Sequence, residues 1–312
     1  MKNMFLILLI LITLGFSQEI FEVTEVKTLI VPPEYGTVFM YPKWSPDGEK
    51  IAFTSANFRG IWIYNLQNEK MEQITDEMAA GFGFSWASNS KAILSRVSKF
   101  ENNRRLTAVK IFNLGDKEDI YLTDYRLRLP DVPKWNAGND QVFFYNGRQM
   151  EYLDTSLERD TSSSQITCYS VSDRIFLENR TTGDKKTFQP FPESMYLNLV
   201  LSPDKEHVAF EVYGGNCYVM NVENSHLTDL GPGNYPTWSP DGKYLAFMLA
   251  KDDGYRYTVS DIVVTDTEGT FFQNLTAELD QIAMYPSWSP ADNRIVYSTY
   301  DFGTIEMIEF NE

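Results

Sequence analysis

Residues Tyr41-Pro-Lys-Trp-Ser-Pro-Asp-Gly-Glu-Lys-Ile-Ala-Phe53 return as Tyr235-Pro-Thr-Trp-Ser-Pro-Asp-Gly-Lys-Tyr-Leu-Ala-Phe247 and again as Tyr285-Pro-Ser-Trp-Ser-Pro-Ala-Asp-Asn-Arg-Ile-Val-Tyr297. A pattern kept at this length is an internal repeat, and it decides the fold before any local propensity does. Weaker copies run from Phe84 to Leu94, from Val132 to Phe144 and from Leu199 to Phe210, which sets six anchor positions at Trp44, Trp86, Trp135, Leu201, Trp238 and Trp288. Within each copy the anchor ends one strand. Ser-Pro-Asp-Gly then makes a tight turn, with proline pre-setting its own φ and glycine taking a positive one, and the apolar run after it forms a second strand.

Outside the hairpin the same logic continues. Ile61–Asn65 and Asp261–Thr265 read as third strands, Asp266–Gly269 as a second turn and Phe271–Thr276 as a fourth strand. Four strands per repeat make a propeller blade. The anchors are 42, 49, 66, 37 and 50 residues apart, against the roughly 40 to 50 expected of one blade. Six anchors predict an all-β, six-bladed propeller of four-stranded antiparallel blades. In the 66-residue interval, Gln149–Asp154 and Gln165–Val171 fit either an inserted hairpin or pieces of a degenerate seventh blade, and six is the expected number. After Trp288 the chain offers only a second and a third strand, so the alternating stretch Ile20–Val31 is expected to complete the last blade and close the ring.

The Tyr-Pro-x-Trp-Ser-Pro-Asp-Gly signature resembles the WD40-like repeats of the TolB-type propellers, over roughly residues 35 to 310. The resemblance implies a six-bladed propeller, commonly exported and commonly a binding platform in the bacterial cell envelope. Residues 1–17 agree with export: Lys2, an apolar run from Met4 to Leu14, and Gly15-Phe16-Ser17 before a cut at Gln18 read as a secretory signal. The expected organisation is therefore a signal over 1–17 and a single propeller over 18–312, periplasmic or secreted. Cys168 and Cys217 are the only cysteines, and two separately buried thiols are expected rather than a bridge.

Few residues are suited to catalysis. His207 and His226 are the only histidines and are read as surface residues; neither has a metal-binding spacing. Gly83-Phe-Ser-Trp-Ala87 approaches a nucleophile elbow but coincides with a repeat anchor. Asp47, Asp204 and Asp241 share one turn position, where they cap backbone amides. With Lys+Arg 27 against Asp+Glu 43 the net charge is −16, which argues against a nucleic-acid partner. No enzyme activity, cofactor or metal is expected.

The repeat turns must all lie on one face of the disc, leaving the opposite face to the loops between second and third strands and between blades. Those loops alternate aromatics with arginine, the residue types enriched at binding hot spots. They nominate Phe58, Arg59, Arg104, Arg126, Tyr213, Tyr255, Arg256 and Phe302 as partner-binding residues. The expected partner is a protein or peptide of the envelope, bound by a monomer with no membrane span after signal removal. The alternative is an enzyme or small-ligand receptor using the central channel, with glycans as the ligand class.

Overall fold

The computed structural model describes residues 20–33, 37–115, 117–161 and 165–312. The secretory signal expected over 1–17 lies outside the described residues. Seven antiparallel sheets follow one another along the chain, five of four strands and two of three. The ring therefore has seven blades, and the expected six is corrected.

Blade 1 (Phe39–Trp44, Lys50–Ser55, Ile61–Asn65, Lys70–Thr75) shows the common plan. Blade 2 runs from Ser85 to Tyr121, blade 5 from Tyr196 to Asp229 and blade 6 from Asn234 to Asn274. The extra blade comes out of the long anchor interval. Blade 3 holds Lys134–Trp135, Gln141–Tyr145 and Met150–Asp154, and blade 4 holds Ile166–Val171, Arg174–Asn179 and Lys185–Phe188. Thr155 and Asp160 donate backbone bonds to Asp140 and Gly138, so the segment after blade 3 stays on the turn face. Strand Ile166–Val171 thus starts where second strands start. Among the described residues blade 3 has no fourth strand and blade 4 no first, the strand that carries the anchor elsewhere.

The expected closure is present. Glu22–Ile30 pairs antiparallel with Ile305–Asn311, from Glu22 opposite Asn311 to Ile30 opposite Ile305, completing blade 7 (Ala283–Trp288, Arg294–Thr299, Ile305–Asn311). Most of this strand is exposed, but Phe21 at its head is buried edge-on against Tyr244, Trp288 and Phe310. Gln273 clamps it further, accepting from the Ile20 and Phe21 amides at 3.1 and 2.9 Å.

The anchors join blade to blade. The indoles of Trp86, Trp135 and Trp238 donate to the carbonyls of Lys43, Ser85 and Val200, each the residue before the preceding blade's anchor. The repeat turns behave as their composition requires. Asp47 and Asp241 accept from the Ser45 and Ser239 hydroxyls and from the Glu49 and Lys243 amides. Burial alone would raise the Asp47 carboxyl, yet these donors and Lys50 hold it below the usual range. Both cysteines are free, Cys217 buried and Cys168 half-buried, and burial pushes the Cys217 thiol up to about 12.

Candidate binding face

A bulge in the innermost strand builds the channel. In blades 1, 5, 6 and 7 the pairing register slips between Met40 and Lys43, Leu197 and Val200, Asn234 and Thr237, and Met284 and Ser287. Within each bulge one residue, three before the anchor, has a left-handed backbone: Tyr41 (φ 56°), Asn198 (48°), Tyr235 (55°) and Tyr285 (56°). Proline follows each of the three tyrosines, where the bulge already leaves the ladder unpaired and a missing N–H costs little.

The three rings meet. Tyr41 stacks on Tyr285 with centroids 3.8 Å apart, Tyr235 stands edge-on to Tyr285 at 4.7 Å, and the Tyr41 and Tyr235 hydroxyls are hydrogen-bonded at 2.8 Å. Desolvation first, and then the neighbouring phenols, push the Tyr41 hydroxyl far above its ordinary range, so the cluster stays neutral. Beneath it Glu211, buried and without a cationic partner among the described residues, accepts from Asn198 Nδ2 at 2.6 Å, Asn234 Nδ2 at 2.8 Å and the Tyr235 amide at 2.6 Å. This carboxylate fixes two neighbouring bulges at once.

Phe58 extends the cluster outward. Its ring lies 5.4 Å from Tyr41 and 5.0 Å from Phe82, and it too has a left-handed backbone (φ 56°), directly after Asn57 (62°). Bulky residues rarely adopt positive φ, at a cost of order 1 to 3 kcal/mol each, and such strain concentrates at functional sites. Four aromatic residues carry it around one channel mouth.

Two hairpins rise beside this floor. The second strand begins six residues after the anchor in blades 1, 2 and 6, at Lys50, Ala92 and Tyr244. In blade 1 it runs six residues, whereas blade 2 pairs on to Glu101 opposite Arg104 and blade 6 to Asp252 opposite Tyr257. All the additional length is therefore at the loop end, and at about 3.4 Å per residue it lifts the tips by roughly 10 Å or more. Blades 7 and 1, with the short loops 300–303 and 56–60, form a lower sector between the two.

The eight nominated residues all lie on the loop side, but the structure gathers only some of them. Phe58 and Arg59 belong to blade 1, Phe302 to blade 7, and Tyr255 and Arg256 to the blade 6 tip, whose base meets blade 7 through Tyr257 against Tyr300 at 5.8 Å. Tyr255 is 98% exposed and Phe302 62%. Arg59 reaches Asp76 at 3.7 Å, and Arg104 stands exposed at the blade 2 tip. Arg126 is half-buried and paired with Glu151 at 2.7 Å, and Tyr213 is exposed on blade 5. Reading loops alone missed the three tyrosines, although Tyr-Pro stood in every strong copy of the repeat.

Among the described residues, Asp204, Glu206 and His207 have potential ligand atoms within 4.8 Å of one another. They belong to the blade 5 repeat turn, on the far side from the loops, where Asp204 already accepts from Ser202 and the Glu206 amide. His207 departs from the expected surface position: it is half-buried, with Nε2 3.3 Å from Asn221 Nδ2, while His226 is exposed.

No protein-family model matches the chain, and no curated protein matches it in sequence. Solved structures do match in fold. TolB from Acinetobacter baumannii superposes with a TM-score of 0.53 at 20% identity, covering 84% of this chain and 59% of that one; this chain thus spans less than two thirds of that relative. A putative TolB from Agrobacterium tumefaciens gives 0.52 at 15% identity over 92% and 94% of the two chains. An oligogalacturonate lyase from Vibrio parahaemolyticus gives 0.55 at 14% identity over 93% and 96%. The chain has the β-propeller architecture of TolB-type proteins. That architecture also serves a lyase.

Proposed function

We propose that this propeller is a non-catalytic platform that binds a protein or peptide across the sector of blades 6, 7, 1 and 2, in the cell envelope of a bacterium. The observation that supports the reading most is the strained aromatic floor of Tyr41, Tyr235, Tyr285 and Phe58 lying between two raised hairpins. Rings held in unfavourable backbone conformations are pre-ordered, so a partner that covers them pays little further entropy. Tyr255 and Phe302 supply exposed rings at the edge, and Arg59 and Arg256 supply forked donors in long ion pairs of 3.7 and 4.0 Å. Export rests on the signal-like residues 1–17. Among the described residues no helix is long and apolar enough to cross a membrane.

Selection of a displayed peptide library on the purified chain tests this. Peptides are expected to be recovered, and Phe58→Ala and the double change Tyr255→Ala, Arg256→Ala should each weaken their binding about tenfold or more, as hot-spot truncations do. Peptides that bind all variants equally would overturn the assignment of this face.

A further inference from the structure

A cleft of about 280 Å³ opens beside the floor just described, between the blade 2 hairpin and the crossover that leads to blade 3. Its polar wall is Arg96, Arg105, Ser98 and Thr107, and its apolar wall includes Leu127 and Leu129. Arg96 reaches into it from the middle of a strand, with its guanidinium 4.9 Å from the Phe82 ring and Nη1 donating to the Leu129 and Asp131 carbonyls at 3.0 and 3.2 Å. Arg105 donates from Nε to Ser98 Oγ at 3.1 Å, and that hydroxyl is 3.0 Å from Thr107 Oγ1. Both arginines are therefore oriented by neutral oxygens.

Among the described residues neither guanidinium has an ion pair. Asp131, whose charge acts on Arg96, is also engaged by Lys134 at 3.0 Å and by the Val132 and Tyr145 amides at 2.8 and 3.0 Å. Among the described residues no carboxylate lines the cleft, in a chain whose net charge is −16. The charge of Asp131, which Lys134 shares, offsets the repulsion between these two like charges only in part, and an oxyanion placed between them relieves it further while taking bidentate bonds from planar donors. The neighbouring surface narrows the choice. Leu127 is 58% exposed, Phe100 64% and Phe82 40%, so the anion must be carried on something that also covers apolar surface.

We propose that the Arg96–Arg105 cleft receives a side-chain carboxylate of an acidic peptide whose adjacent apolar residues cover Leu127 and Phe82. This rests on the peptide-binding reading above and names its chemistry: the partner segment carries Glu or Asp next to a bulky apolar residue. Phe82 joins the two places, touching Arg96 on one side and Phe58 on the other.

Calorimetric titration of the full chain with acetyl-Gly-Leu-Glu-Phe-Gly-amide tests the proposal, with the Gln-containing peptide and inorganic phosphate as comparison probes. The Glu peptide should bind saturably, the Gln peptide about tenfold or more weaker, and phosphate more weakly than the Glu peptide. Arg105→Gln should cost about tenfold for the Glu peptide and nothing for the Gln peptide, since a charge-assisted bond is what it removes. Arg105 is exposed and holds only a hydroxyl, so that variant keeps its fold; Arg96→Gln, which also loses two carbonyl contacts, is read only alongside its melting temperature. No binding of the Glu peptide, equal binding by Arg105→Gln, or phosphate binding as tightly as the Glu peptide would each overturn the proposal. The Phe58→Ala arm separates the two readings: Arg105 dependence without Phe58 dependence leaves the cleft standing and removes the aromatic floor, and the reverse removes the cleft alone.

Discussion

Lys43 stands one residue before the first anchor, on the innermost strand. Its ammonium donates to the Phe84 carbonyl at 2.7 Å and lies 5.0 Å from the Phe84 ring, with no carboxylate partner among the described residues. Burial lowers its pKa from 10.5 to about 8. Between those values the unfolded chain holds a proton that the folded chain has lost, so this group adds stability as pH rises from 8 to 10.5. Below that window both states are charged and the desolvation cost is carried in full. Lys43→Met keeps the stem without the charge, so its stability relative to wild type should increase as pH is lowered from 10 to 8, by at most about 1.4 kcal/mol per pH unit. Urea unfolding at each pH measures this; a difference that stays constant would show that the ammonium remains well solvated.

At the same scale the two arginines of the cleft show what a loop-by-loop reading can and cannot find. Arg105 falls in a loop stretch that is visibly rich in arginine, whereas Arg96 sits inside the mixed strand Ala92–Glu101 and looks like any polar residue facing out of a strand. What makes it distinctive is spatial: Phe82 and the Leu129 carbonyl come from other segments of the chain. The tyrosines are the opposite case. Their spacing from the anchor is explicit in the repeat, but the left-handed backbone that brings Tyr41, Tyr235 and Tyr285 together depends on a bulge against the neighbouring strand.

Among elements, the closing strand is where sequence and structure agree most closely. The open edge of the last blade's third strand is covered by the alternating stretch Glu22–Ile30. Phe21 should carry most of its attachment, since the strand beyond it is largely exposed. Phe21→Ala should cost about 3 kcal/mol, in the range of large-to-small core changes, while Val23→Ala on the same segment should stay within roughly 0.5 kcal/mol. Denaturant midpoints of the two variants provide the comparison; equally small losses would mean that the segment does not close the ring. The seventh blade is the element that anchor counting could not see. Everything recognisable in this repeat belongs to the first strand and its turn, and among the described residues blade 4 has no such strand. Its remaining signal is a plain hairpin, Ile166–Val171 and Arg174–Asn179 around Ser172 and Asp173, which fits an insertion as well as a blade.

For the molecule as a whole, the ring separates two tasks. The repeat turns, with their hydroxyl and carboxylate caps, hold one face in a regular pattern, and irregularity is concentrated on the other, in two long hairpins, an aromatic floor and an arginine cleft. The fold class was legible because the repeat recurs in sequence. The site was legible only in part, because its floor and its cleft are made by packing between blades. Hydrogen–deuterium exchange of the full chain, with and without the acetylated Glu peptide, tests that division most directly. Protection is expected over 56–60, 96–107 and 126–129, with no change in the repeat turns 45–48, 202–205, 239–242 and 289–292. Protection of the repeat turns, or no change on the loop face at saturating peptide, would contradict it.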